Sequence, residues 1–396
     1  MKKVLFVVDE RKLGGVSILL EGILNNLDRD NLDVSVLVLH NSGDRLENLN
    51  KDIKVIYGTK AFDVIDIDFK TLVKEKKYLK AFKKMYISIL MKTGLIKYYI
   101  LKERKKLNIN VDTEIAFKAG FCSLFVAYGD SKRKLNWVHE DYKTYNKTKK
   151  YEKLFKKAFR AFDRHIIVSD DARKSFNEIY AMEDKSYTIE NYIDIKDILN
   201  KACEKTEGVV LDKRIDNSKI NFVTLGRFSK EKGFDRLIDA INLLKNIVDI
   251  SSLNLYIIGY GNEKDELIKK IKDYNLEDTI FVLDSKVEFN SNPYPFMKQC
   301  DVYVLSSYTE SFGMVRIEAL TLGLPVITTD VANSHSMINS SLGLIVDNNT
   351  EGLVQGMEYI LKNKEMVDTL KANVKDYSYD KRNEKILAKI KELLEV

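Results

Sequence analysis

The segment "SSYTESFGMVRIEAL", residues 306 to 320, places two carboxylates, Glu310 and Glu318, eight positions apart. An apolar run at residues 302–305 precedes it, so the pattern predicts a strand end, a loop over 306–311 and a helix over 313–322 with Ser311 as its N-cap. Eight residues of helix advance about two turns, which lets both carboxylates line one side. A carboxylate accepts paired hydrogen bonds from vicinal hydroxyls, and this suits Glu318 to a ribose and Glu310 to a hexose. The spacing alone is common; an exposed helix glutamate beside a capping residue satisfies it equally. A second stretch, "LGRFSKEKGFDRLIDAI" from Leu225, frames Arg227 and Lys232 between Gly226 and Gly233, before a helix starting near Phe234. Two cations on a loop at a strand end, beside a helix N-terminus, form a diphosphate site; read alone, they are surface charges.

Such residues need a frame that holds strand ends together. Short apolar runs recur between helical patterns at residues 4–8, 34–39, 113–117, 134–138 and 166–169, and again at 221–225, 253–258, 279–283, 302–305 and 325–328. That alternation predicts βαβ units and parallel sheets, an α/β class with two doubly wound domains joined near residues 196–217. In such domains ligands lie beyond the carboxyl ends of the strands, so the shared site is expected in a cleft between the two. The boundaries read as 1–197, 198–378 and a C-terminal amphipathic helix over 379–396, expected to pack back toward the N-terminal domain.

A chain of 396 residues with 45% hydrophobic and 31% charged residues has the balance of a folded protein built from two domains. The cysteines, Cys122, Cys203 and Cys300, are odd in number and far apart, which points to a reduced, cytoplasmic compartment. The opening apolar run ends at Asp9, too early for a signal peptide. The apolar stretch at 85–101 is interrupted by Lys92 and Lys97 and is too short to span a membrane. Charge is uneven: residues 70–106 carry thirteen Lys and Arg against Glu75 and Glu103, within a chain whose formal net charge is +6. Aromatic and aliphatic residues interleave with those lysines, as in helices that lie on anionic lipid; a solvated lysine face is the alternative. A second basic stretch, 142–160, supports the first reading. No nucleic-acid motif accompanies either stretch, and nucleic acid is not expected as a partner.

Taken together, "GRFSKEKGFDRLIDA", "ESFGMVRIEAL" and "GLPVITTD" resemble the GT-B glycosyltransferases of family 4, which carry the E-x7-E signature. "NPYPFMKQCDVYVLSS" is similar to bacterial enzymes of capsule, O-antigen and surface-polysaccharide assembly, and "LGGVSILLEGIL", "WVHED", "IIVSDDARKSF" and "IENYID" extend the likeness through the N-terminal half. The resemblance implies two Rossmann-like domains facing across a cleft, the first for the acceptor and the second for a nucleotide sugar. It implies retaining transfer of a hexose or N-acetylhexosamine from a nucleotide diphosphate sugar, with UDP the expected nucleotide, to a lipid-linked or polysaccharide acceptor at the inner membrane face. Gly14 and Gly15 would admit the diphosphate and acceptor to the backbone. Arg227 and Lys232 would neutralise the diphosphate in place of a metal, so no cofactor is expected. Glu318 would hold the ribose. Glu310, with the amides of Phe312, Gly313 and Met314, would bind the donor sugar, and His139 would contact it from the N-terminal side. Where relatives carry a glycine-containing turn, this chain has "TTDVANSHSMI", with Asn333, Ser334 and His335 as substitute polar contacts. The acidic run at 66–68 is not expected to hold a metal.

Three rivals are weighed. A nicotinamide-dependent oxidoreductase needs G-x-G-x-x-G after the first strand, and "DERKLGGVSILLEG" lacks that spacing. A non-catalytic binding or scaffold protein of the same fold, or a nucleotide-sugar epimerase, would keep the architecture without the transfer.

Overall fold

Runs such as 4–8 and 302–305 are apolar at consecutive positions, so their strands must be covered on both faces, the condition met inside a parallel sheet. The computed structural model, which describes residues 1–9, 15–40, 49–65, 67–142, 149–204 and 215–395, builds two such sheets. The chain divides into one unit of Met1–Tyr192 with Arg382–Val396 and a second of Ile193–Lys381.

In the first unit the strands are β1 (Lys2–Val8), β2 (Leu32–Val38), β3 (Lys54–Tyr57), β4 (Thr113–Ala116), β5 (Arg133–Val138), β6 (Arg164–Ile167) and β7 (Ser186–Thr188). They lie parallel in the order β3-β2-β1-β4-β5-β6-β7. Only the two edge strands, β3 and β7, escape the sequence reading. Both are short and partly exposed, so neither carries a buried apolar run: β3 reads KVIY with exposed ends, and β7 is the three residues SYT. From Arg382 onward the Asp380–Glu395 helix belongs to this unit, where Arg382 lies 3.6 Å from Glu190 and Lys391 bonds Asp28.

Three helices, Phe69–Lys74, Tyr78–Thr93 and Ile96–Leu107, fill the chain between β3 and β4. The apolar stretch at 85–101 breaks at Gly94, which adopts a left-handed φ of 77° and closes the middle helix. Among the described residues no helix is long and apolar enough to cross a membrane. Arg104, counted with the basic segment, is not on its surface. It is buried and grips buried Glu114 with two hydrogen bonds of 2.8 and 2.7 Å.

The second unit holds β8 (Ile220–Arg227), β9 (Leu253–Tyr260), β10 (Ile280–Asp284), β11 (Val302–Leu305), β12 (Val326–Thr329) and β13 (Gly343–Val346). All are parallel, in the order β10-β9-β8-β11-β12-β13. The sequence reading misses β13, another edge strand, whose last three residues are half-buried. The order reverses between β8 and β11, and the crevice beyond their carboxyl ends is where ligands of doubly wound sheets bind. Residues 225–233 and 306–313 emerge at that point.

The Arg104–Glu114 pair yields a test. Arg104→Met leaves a buried carboxylate without its cation, and breaking such a pair costs about 3–5 kcal/mol. Trp137, the chain's one tryptophan, is buried in β5 of the same unit, so its fluorescence reports that unit's unfolding. The Trp137 transition of Arg104→Met is expected at clearly lower urea than wild type.

Candidate functional site

At the reversal point of the second unit, the loop after β8 and the loop after β11 are fastened to each other through the backbone. The Tyr308 amide donates to the Glu231 carbonyl at 2.9 Å, and the Ser306 hydroxyl donates to the Lys232 carbonyl at 2.9 Å. Gly233 has a φ of 63°, and a Cβ there would lie 2.1 Å from the Ser306 carbonyl oxygen. Only glycine meets both conditions. The Phe234–Leu244 helix starts immediately afterwards, and Arg236 in its first turn is buried, as are Leu237, Ile238 and Ile241 of the same helix. Its guanidinium donates to the carbonyls of Ser306 (2.8 Å), Ser307 (2.6 Å) and Asn348 (3.2 Å) and to the Asn348 side chain (2.7 Å), and stacks 4.1 Å from the Tyr308 ring centroid.

This frame brings together the residues that the sequence singles out in this unit. Lys232 Nζ lies 2.7 Å from a Glu310 carboxylate oxygen, which also accepts from the Ser307 hydroxyl at 2.7 Å. Burial pushes the Glu310 carboxyl upward, but the Lys232 charge and hydrogen bond, the Ser307 hydroxyl and the nearby Arg316 outweigh it and hold the group below its usual range. Arg227 ends β8 with its side chain exposed; among the described residues its guanidinium has no partner.

Glu318 sits on the Met314–Thr321 helix. Burial raises its carboxyl to about 7, against the opposing pull of a hydrogen bond from Tyr294 and of the Lys201 and Lys232 charges. Burial and the facing carboxylate in turn raise the Tyr294 hydroxyl, so its proton stays on oxygen and donates to Glu318. Tyr294 comes from the short Tyr294–Met297 helix, and Lys201 from the Ile195–Cys203 helix that packs against it.

The cap of the Met314–Thr321 helix differs from expectation. Gly313, with a φ of 75°, is the N-cap, and no side chain caps the helix, so Ser311 does not hold that position. The physical reason is Arg316. Fully buried, it turns back to the Phe312 carbonyl (2.8 Å) and reaches the Ala332 carbonyl (2.7 Å) and the Ser334 hydroxyl (2.7 Å). A Cβ on Gly313 would stand 2.6 Å from its guanidinium. Among the described residues the amides of Phe312, Gly313 and Met314 have no acceptor, so the helix start keeps donors for an incoming oxygen. Of the substitute contacts, Ser334 is occupied by Arg316, while His335 is exposed 3.3 Å from Asp330 and Asn333 adopts a left-handed φ of 64°.

Two site expectations belong to the first unit. Gly15 begins the Gly15–Asn26 helix after β1, exposed; Gly14 lies outside the described residues, as does Asp66 of the acidic run. His139 follows β5, its ring 4.9 Å from Phe117 and stacked on Trp137 at 6.3 Å. Nε2 lies 3.0 Å from the Phe117 carbonyl and must therefore carry the proton, while the Asn191 side chain also bonds the ring. Burial pushes its pKa down to about 4, so the imidazole is neutral near pH 7.

Arg236, Arg316 and Tyr294 lie inside motifs the sequence reading quotes, yet it assigns them no role. The signal was present for Arg236: a charge at an inward position of an apolar helix pattern implies a buried cation with acceptors waiting.

Residues 212–377 match the family model described as Glycosyl transferases group 1. The chain is 31% identical over 188 residues, 47% of its own length and 47% of the relative's, to N-acetylgalactosamine-N,N'-diacetylbacillosaminyl-diphospho-undecaprenol 4-alpha-N-acetylgalactosaminyltransferase of Campylobacter jejuni. It is 28% identical over 204 residues, 51% of this chain and 53% of the relative, to O-antigen biosynthesis glycosyltransferase WclY of Escherichia coli. It thus spans about half the length of the curated relatives it matches. Among solved structures, Anabaena HepE in complex with UDP and glucose superposes with a TM-score of 0.68 at 17% identity, covering 99% of this chain and 100% of that one. The chain has the GT-B fold.

Replacing Arg236 by Met removes the donors for the buried Ser306 and Ser307 carbonyls and for exposed Asn348, and the expected loss is about 2–4 kcal/mol of local stability. Hydrogen exchange of the Tyr308 amide, which donates to the Glu231 carbonyl, should accelerate by about tenfold or more relative to wild type.

Proposed function

We propose that the Glycosyl transferases group 1 domain of the second unit binds a UDP-sugar, and that the chain moves the hexose or N-acetylhexosamine, with retention, to a lipid-linked or polysaccharide acceptor in bacterial surface glycan assembly. The carrying observation is the arrangement at the reversal point. A guanidinium at Arg227 and amides at 312–314 that have no partner among the described residues, an ion pair between Lys232 and Glu310, and a half-buried Glu318 lie on two loops and a helix held by Arg236 and Arg316. The order of charges fits a nucleotide diphosphate sugar: cations for the diphosphate, one carboxylate for each sugar. The name of the Campylobacter relative describes addition of an alpha-linked N-acetylgalactosamine to a diphospho-undecaprenol glycan, and the HepE structure contains UDP and glucose; both support this substrate class.

In this reading Arg227 and Lys232 take the place of a divalent metal, stabilising the charge that grows on the diphosphate as the bond from the anomeric carbon to its oxygen breaks. The acceptor hydroxyl oxygen bonds to the anomeric carbon on the same face, and its proton passes to the departing phosphate oxygen. No protein nucleophile is formed. Glu310 stays ionised because Lys232 and Ser307 hold it so, and its remaining lone pairs accept from donor-sugar hydroxyls. His139 is too weak a base near neutrality to compete with the phosphate for the proton. With a lipid-linked acceptor, the enzyme would work at the inner face of the membrane.

The nucleotide is tested by the thermal unfolding midpoint with UDP, GDP, ADP and NAD at matched concentrations. A ligand at about 100 times its dissociation constant adds roughly 2.7 kcal/mol, so UDP should raise the midpoint visibly. A rise with NAD alone, or with none of the four, would overturn the assignment. Protonation of Glu318 gives a second expectation. Below about 7 its carboxyl carries a proton and above that it is the paired acceptor that vicinal ribose hydroxyls need. UDP-glucose, whose own diphosphate stays ionised throughout, should therefore bind more tightly as pH rises from 6 to 8. Calorimetry should find that dependence absent in Glu318→Gln, with weaker binding at every pH.

A further inference from the structure

We infer that the first unit docks on an anionic lipid bilayer through the outward face of its Tyr78–Thr93 helix. This gives the proposed transferase its working surface and rests on that reading for its purpose, but the argument comes from the first unit alone. Among the described residues, ten of the twenty-one exposed large apolar side chains fall within residues 69–98. Six of them, Tyr78, Leu79, Phe82, Met85, Tyr86 and Ile89, lie on the one helix with exposures between 47% and 88%. At about 100° per residue they share an arc of roughly 120°. The opposite arc is the one that packs: Ala81, Ile87 and Leu90 are buried, Lys83 pairs with Asp63 at 2.6 Å, and Lys84 donates to the carbonyls of Val64 (3.0 Å) and Ile65 (2.7 Å). The helix is therefore apolar on two sides, and its core contacts use only one.

Charge selects the occupant. Lys70, Lys74, Lys76, Lys92 and Lys97 are exposed around this face without a partner among the described residues. The carboxylates of the same helical region are neutralised locally: Glu75 pairs with Lys77 at 2.7 Å, and buried Glu103 with Lys106 at 2.6 Å. A second copy of the chain would bring the same lysines against these, an arrangement of like charges. A bilayer offers both complements at once, acyl chains for Phe82 and Leu79 and anionic headgroups for the lysine rim. Tyr78, Tyr86 and the neighbouring Tyr98 have the amphipathic form that settles at the headgroup level. The structure also revises which lysines matter. Lys83 and Lys84 face the core, so the rim, and not the whole basic segment, meets the lipid.

The full chain is tested by flotation with vesicles of phosphatidylcholine alone or mixed with phosphatidylglycerol. Wild type should bind the mixed vesicles about tenfold or more tightly than the neutral ones, with added salt weakening that preference. Leu79→Asp/Phe82→Asp should lower binding to mixed vesicles about tenfold, and Lys70→Gln/Lys74→Gln/Lys76→Gln should erase most of the preference for phosphatidylglycerol. Both sets change exposed side chains and leave the buried face intact. Failure of wild type to float with mixed vesicles would overturn the inference, as would equal binding by Leu79→Asp/Phe82→Asp. A wild-type dimer in sedimentation that these two substitutions dissociate would overturn it too, assigning the face to a second copy. The midpoint shift with UDP, measured on the same samples, decides the nucleotide reading separately, so either proposal can fail alone.

Discussion

Everything in the second unit's site depends on how the chain leaves β11. Beyond Leu305 the backbone departs from the sheet while still buried, and its carbonyls lose their ladder partners. Two buried guanidiniums serve in their place: Arg236 takes Ser306 and Ser307, and Arg316 takes Phe312 and ties it to the Ala332 carbonyl of the loop after β12. Burying a cation is costly unless its donors are satisfied, and buried carbonyls are costly without donors, so each requirement answers the other. Glu310 lies between the two anchors in sequence, and Glu318 follows Arg316 by two residues on the same helix. Their positions are set by arginines that touch neither substrate nor solvent in the proposed chemistry.

Much of this was legible from residue order. Consecutive apolar runs located ten of the thirteen strands among the described residues, and the three missed, β3, β7 and β13, are short edge strands with partly exposed residues. The family resemblance assigned Lys232 to a diphosphate and Glu310 to a sugar, but not their contact, which spans 78 positions and which no local rule predicts. The helix cap went the other way. A serine two positions earlier looked the better cap, because the pattern shows what a side chain could do and hides that Arg316 already fills the space beside Gly313. The Tyr294 hydrogen bond was also hidden, since it depends on where a four-residue helix comes to rest.

The basic segment shows a related difference between counting charges and placing them. Thirteen cations in a short stretch suggest a uniform positive surface. In the fold, Arg104 is the counterion of Glu114, and Lys83 and Lys84 tether the helix to the loop after β3. What reaches the outside is narrower and more apolar than composition suggests, a stripe of aromatic and aliphatic side chains with lysines at its margin.

The ion pair between Lys232 and Glu310 has one more consequence. A single ammonium balances the largely enclosed Glu310 carboxylate and, in the proposed complex, the phosphate as well, so any anion drawn to Lys232 changes the field felt by Glu310. The two ends of a bound molecule would then not contribute independently: filling the phosphate end alters how strongly the carboxylate attracts hydroxyl protons at the other. Free energies for fragments, a nucleotide alone or a sugar alone, should not sum to that of the intact molecule, and the difference would measure a coupling carried by one 2.7 Å contact.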